Sequence, residues 1–115
     1  MATLAGGLAC LTGCGAREPQ VPTEQANRVA SAIAGISAAC GESYQQRALE
    51  PQPDETGVLE SAATMRVTEL ARVYRMGPEW IYNGETLRQI VALSVRDLRE
   101  CHLEDAATSL VRQTR

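Results

Sequence analysis

The amino-acid sequence predicts an all-α fold, a small bundle of three or four helices, on three observations. The 115 residues include no Phe, one Trp and three Tyr, so a core must be built from Leu, Val, Ile, Ala and Met. That set suits close helix packing better than a sheet of bulky β-formers. Apolar residues in the long segments after Pro22 recur at the helical period rather than at two. Pro51, Pro53 and the Gly77-Pro78 pair fall between those segments, where helix breakers belong. The length bounds the fold to one small domain.

The first helix is expected to start after Pro22, with Thr23 as N-cap and Glu24 favourable in its first turn. Its apolar stripe is Ala26, Val29, Ala30, Ile33, Ile36 and Cys40, and Tyr44 extends the same face. Gly41 is a candidate end to the regular helix or a place where another backbone comes close, and Glu50-Pro51-Gln52-Pro53-Asp54 breaks the helix outright. A second helix should begin near Asp54 or Thr56 and bury Leu59, Ala62, Ala63, Val67, Leu70, Val73 and Tyr74. Arg66, Glu69, Arg72 and Arg75 turn mostly outward, and Gly77-Pro78 ends the element. Asn83-Gly84 has the composition of a hairpin turn. The residues after it, Leu87, Ile90, Val91, Ser94, Val95, Leu98 and Cys101, keep the helical period, so Asn83 is read as a cap or turn before a third helix. Asp105, Ala106, Ala107, Leu110 and Val111 make a short fourth helix or the tail of the third.

Ahead of this domain, Ala2 to Gly13 is small and apolar. Such a run spans about 18 Å as helix, short of the roughly 30 Å hydrocarbon core, and has the form of a secretory h-region. Leu11-Thr12-Gly13-Cys14 then resembles the lipobox of bacterial lipoproteins: an aliphatic residue, a small residue, Gly or Ala, and a cysteine. In that family the cysteine thiol receives a diacylglycerol, the peptide bond before it is cut, and the new amino terminus is acylated. The resemblance implies a signal peptide over residues 1–13, lipidation at Cys14, a lipidated tether over 14–22 and a helical domain over 23–115. It also implies a bacterial cell-envelope location, extracytoplasmic and anchored to a membrane through Cys14. Gly15 to Pro22, polar and Pro-containing without periodicity, has the composition of a tether. No charge precedes Arg17, where a signal peptide carries Lys or Arg. A start upstream of Met1 is one reading of this, and an unanchored cytosolic helical protein is the other.

With Cys10 in the discarded segment and Cys14 lipidated, the resemblance leaves Cys40 and Cys101, each on the apolar face of its helix. An exported chain oxidises such a pair to a disulfide; the alternative is two buried thiols acting as small hydrophobes. Cys101-His102 beside Glu104 and Asp105 is the densest group of candidate ligands or nucleophiles. The paired-cysteine spacing of a zinc site is missing, and adjacent side chains on a helix diverge too far for a thiol–base pair. No metal site, no cofactor and no catalytic residue is therefore expected, and His102 is read as a partly exposed residue at a helix end. The carboxylates are scattered singly near Arg, as Glu69 is near Arg66 and Arg72, the pattern of a solvated helix surface. Neither a phosphate loop nor a nucleophile elbow is present. The net charge is −3 and the eleven basic residues, all Arg, form no run, so no electrostatic case exists for nucleic acid.

Trp80-Ile81-Tyr82 is the one aromatic cluster and the candidate partner-binding segment, since such residues anchor interfaces. The competing reading folds it back over the open end of an aromatic-poor core. The order Cys40, Cys101, Ala106–Val111 is similar in topology to the helical pilotins, small lipoproteins of bacterial secretion systems. That likeness implies a groove between helices that takes a peptide helix from a larger membrane complex. The expected role is a non-enzymatic protein-binding or assembly module held at a membrane. A small-ligand or metal carrier of the envelope is the alternative.

Overall fold

The computed structural model describes residues 19–49 and 57–115. Four helices and a hairpin follow in order: α1 (Thr23–Leu49), α2 (Val58–Met76), β1 (Ile81–Tyr82), β2 (Glu85–Thr86), α3 (Leu87–Glu100) and α4 (Glu104–Gln113). The all-α bundle expected from periodicity is the fold observed. Cys10, Cys14 and the Pro51–Pro53 breaker lie outside the described residues.

Helix α1 continues through Gly35 and Gly41 to Leu49. The Ala26 N–H donates to the Pro22 carbonyl at 2.8 Å, so Thr23 sits inside the first turn rather than capping it. Its buried residues are Val29, Ala32, Ile36, Ala39 and Ser43. This face is rotated from the expected one: Ala30 and Tyr44 are exposed, while Ile33 and Cys40 are half-buried. Alanines occur all round this helix, so hydropathy alone cannot choose among them. Helix α2 begins just after Gly57, which takes a left-handed φ of 74°, and buries Leu59, Ala63, Val67, Leu70, Ala71 and Val73. Ala62, expected inside, is exposed.

Asn83 and Gly84, with φ of 51° and 82°, form a two-residue turn, and Ile81 and Tyr82 pair antiparallel with Thr86 and Glu85. Positive φ at both central residues is what a type I′ hairpin demands and what Asn-Gly supplies. Of the two roles read for Asn83, cap or turn, the structure shows the turn, within a short hairpin that precedes α3. The cap of α3 is Thr86: its hydroxyl accepts from the Gln89 N–H at 3.1 Å, and the Gln89 side chain accepts from the Thr86 N–H at 2.8 Å. This is a complete capping box. The chain preceding α1 joins the hairpin. The Ile81 N–H donates to the Pro19 carbonyl at 2.8 Å, and the Val21 N–H to the Ile81 carbonyl at 3.0 Å. The end of the expected tether is thus fastened to the domain.

Helix α3 buries Leu87, Ile90, Val91, Ser94 and Leu98, as its stripe predicts. It closes in a left-handed cap. The Leu103 N–H reaches the Leu98 carbonyl at 2.8 Å and the His102 N–H reaches that of Arg99 at 3.1 Å, with His102 at φ 67°. Leu98 and Leu103 are both buried, which supplies the apolar contact that accompanies this motif. Helix α4 then lies parallel to α2, with both ends held by α2 side chains. Glu60 accepts from the Asp105 and Ala106 N–H groups at 3.2 and 3.0 Å, and Arg75 donates to the Gln113 carbonyl at 2.9 Å. A carboxylate at the N-terminus and a guanidinium at the C-terminus both match the helix dipole.

The buried core among the described residues contains six alanines and no aromatic side chain. Small residues let the helix backbones approach closely, and Leu70, Leu87, Leu98, Leu103 and Leu110 fill the remaining volume.

Candidate functional site

Helices α1 and α3 approach each other only weakly, whereas α2 packs closely on α1 and on α4. The gap between α1 and α3 is a trough of about 370 Å³. Helix α1 contributes Ala30 and, one turn on, Ile33 and Ala34; α3 contributes Ile90, Leu93, Ser94 and Asp97. The hairpin closes one end with Tyr82, Asn83 and Glu85. Beyond Asp97 the trough continues into a second depression of about 320 Å³ between Ile36, Cys40 and Tyr44 on one side and Glu100 on the other.

The Cys40–Cys101 disulfide clasps the far end, joining α1 to the C-cap of α3 with 5.3 Å between the Cα atoms. Beside it the Ser43 hydroxyl donates to the buried Cys101 carbonyl at 2.7 Å. Cys101 is fully buried, while Cys40 lines the depression and is half-buried.

The aromatic segment is divided between three tasks. Trp80 lies against the core and over Gly77, where a Cβ would overlap the indole. Ile81 is held through its backbone by Pro19 and Val21. Tyr82 alone of the three lines the trough. An adjacent network fixes the hairpin base. Arg88 donates to Glu79 at 2.7 Å and to the Tyr74 hydroxyl at 3.3 Å, and its guanidinium stands 5.9 Å over the Tyr74 ring. The hydrogen bond and charge of Glu79, with a smaller part from Tyr74, raise the Arg88 pKa above its ordinary value.

The cluster at Cys101 does not converge. Cys101 is spent in the disulfide, His102 is exposed in the left-handed cap, and Glu104 pairs with Arg99 at 3.3 Å. Among the described residues no group of three or more His, Cys, Asp or Glu side chains is placed to hold a metal ion. The trough offers apolar area, carboxylates and a hydroxyl. The sequence places Ile33 and Ser94 on the apolar stripes of their helices and gives Leu93 no role, because nothing in their spacing reveals a gap between α1 and α3.

Comparison with protein-family models, with curated proteins and with solved structures gives no match.

Proposed function

We propose that this protein is a lipid-anchored helical module of the bacterial envelope that binds a segment of another protein in the α1–α3 trough. The observation that carries the reading is the trough itself, floored by Ile33, Ile90 and Leu93 and held at its two ends by the hairpin and the disulfide. Two packed helices normally exclude such a gap. The disulfide agrees with an oxidising compartment, and the lipobox at Leu11–Cys14 supplies the anchor. No helix among the described residues is long and apolar enough to cross a membrane; the proposed attachment is through Cys14.

The pairing of Pro19 with Ile81 gives the anchor a geometric consequence. Cys14 stands five residues before Pro19, and a chain of that length reaches at most about 17 Å. A lipid on Cys14 therefore keeps the hairpin end of the bundle beside the headgroups, and a partner segment meets the trough close to the membrane surface.

A photocrosslinking residue at Leu93, inside the trough, or at Met65, which is 73% exposed on α2, tests this in the source organism's membranes. The expected result is a discrete protein adduct from Leu93 and none from Met65. Identical patterns from both sites, or no adduct from Leu93, would contradict the reading.

A further inference from the structure

We infer that the trough selects a basic amphipathic helix, one that presents an apolar ridge flanked by Arg or Lys. This rests on the proposed binding role of the trough and specifies the chemistry of its occupant.

Three observations lead there. The walls carry Glu85, Asp97 and Glu100 and no cationic side chain. Glu85 and Glu100 have no ion-pair partner among the described residues. Asp97 meets Arg96 at 3.2 Å, an exposed pair of sequence neighbours whose coupling is weak. The α2 surface differs: its shallow hollow is lined by Arg66 and Arg72 with only Glu69 in opposition. The α2 hollow does not share the acidic lining of the trough.

The second observation is Ser94. Its side chain lines the trough, it is only 8% exposed, and its hydroxyl has no hydrogen-bond partner among the described residues. Buried hydroxyls are ordinarily paired, so the site is one polar contact short. A guanidinium or ammonium laid along the floor answers both needs. Its methylenes cover Ile33 and Leu93, and its head donates to the Ser94 hydroxyl and the Asp97 carboxylate, one helical turn apart.

The third is shape. The trough follows α3 from Ile90 to Glu100, about 15 Å of helix rise, which matches about three turns of a partner helix. It is open along its length, whereas small-ligand sites enclose most of their ligand. A helix laid in a groove is the recognition mode that fits an open apolar channel between helices.

The test uses the folded, disulfide-bonded protein and a synthetic peptide of about 14 residues, long enough to span the trough. The peptide carries Leu on one face and Arg on both flanks; a second peptide replaces each Arg with Glu. Titration is followed by amide chemical shifts. The Arg peptide should bind at least about tenfold more tightly than the Glu peptide, and its shifts should centre on Leu93, Ser94 and Asp97. Combined Glu85→Gln, Asp97→Asn and Glu100→Gln substitution should erase most of that difference. Ser94→Ala should weaken the Arg peptide about threefold or more while leaving the melting temperature unchanged or higher, an outcome that a packing role would not give.

Equal affinity for the two peptides, or shifts centred on α2, would overturn the inference. So would displacement of the Arg peptide by spermidine at matched concentration, since that would assign the trough to a small cation. A specific adduct from Leu93 together with equal peptide affinities would discard the basic helix and leave the broader binding role standing. Loss of both would remove both.

Discussion

Glu60, in the first turn of α2, caps a helix that begins far along the chain: its carboxylate accepts from the backbone N–H of Ala106 at 3.0 Å and of Asp105 at 3.2 Å. Leu103, the residue at the N-cap position of α4, has no side chain that could do this. The two amides would otherwise lack a partner within their own helix. Replacing Glu60 with Ala should cost about 1 kcal/mol, in the range of a lost N-cap. Urea denaturation measures the loss, and hydrogen exchange at Ala106 and Ala107 should speed up before exchange in α3 does.

The left-handed cap of α3 carries His102 at φ 67°. Glycine adopts that conformation freely, and its flexibility penalty in the unfolded chain offsets only part of the gain. His102→Gly should therefore raise stability by about 0.5–1 kcal/mol. The same variant should leave partner adducts from Leu93 unchanged, because the exposed imidazole lies outside the trough. A fall in stability would mean that the His102 side chain makes a stabilising contact.

Gly77 underlies Trp80, and any Cβ there would meet the indole. Gly77→Ala should cost about 1–3 kcal/mol through overpacking, and the emission of the single tryptophan should move to the red as the ring is pushed into water. An unshifted spectrum would place the indole elsewhere.

The disulfide spans a sequence separation of 61, for which the chain-entropy account gives about 4 kcal/mol. Reduction should therefore lower the urea midpoint by a large part of the total for so small a domain. Because Cys40 lies at the end of the trough, reduction should also weaken any ligand held there. Equal midpoints with and without reductant would show that the helices hold this end unaided.

Much of this fold was readable from the sequence, and the exceptions have physical causes. The stripe from Leu87 to Cys101 maps onto the buried face of α3 because its large side chains leave one choice of face. In α1 the alanines do not, and the face turned toward Ala32 and Ala39 instead of Ala30. Period 3.6 after Leu87 overrode the Asn83-Gly84 signal, although both elements form: the hairpin ends at Thr86 and the helix starts one residue later. Thr86 and Gln89 stood in the sequence as a T-x-x-Q box, the one local signature that would have placed that boundary. The pairing of Cys40 with Cys101 followed from the export reading and the two helix faces. The trough did not, since it depends on how two helices sit apart rather than on any residue pattern. Ser94 shows the limit: it belongs to the buried stripe, yet only the packing of the helices reveals that it lines a gap.

An intact mass of the protein isolated from its source organism, with free thiols alkylated and no reductant, tests anchor and disulfide at once. The expected species begins at Cys14, carries a diacylglyceryl increment and takes up no alkyl group. An unmodified chain that retains residues 1–13, with Cys10, Cys14, Cys40 and Cys101 all alkylated, would contradict the anchor, the compartment and the disulfide together.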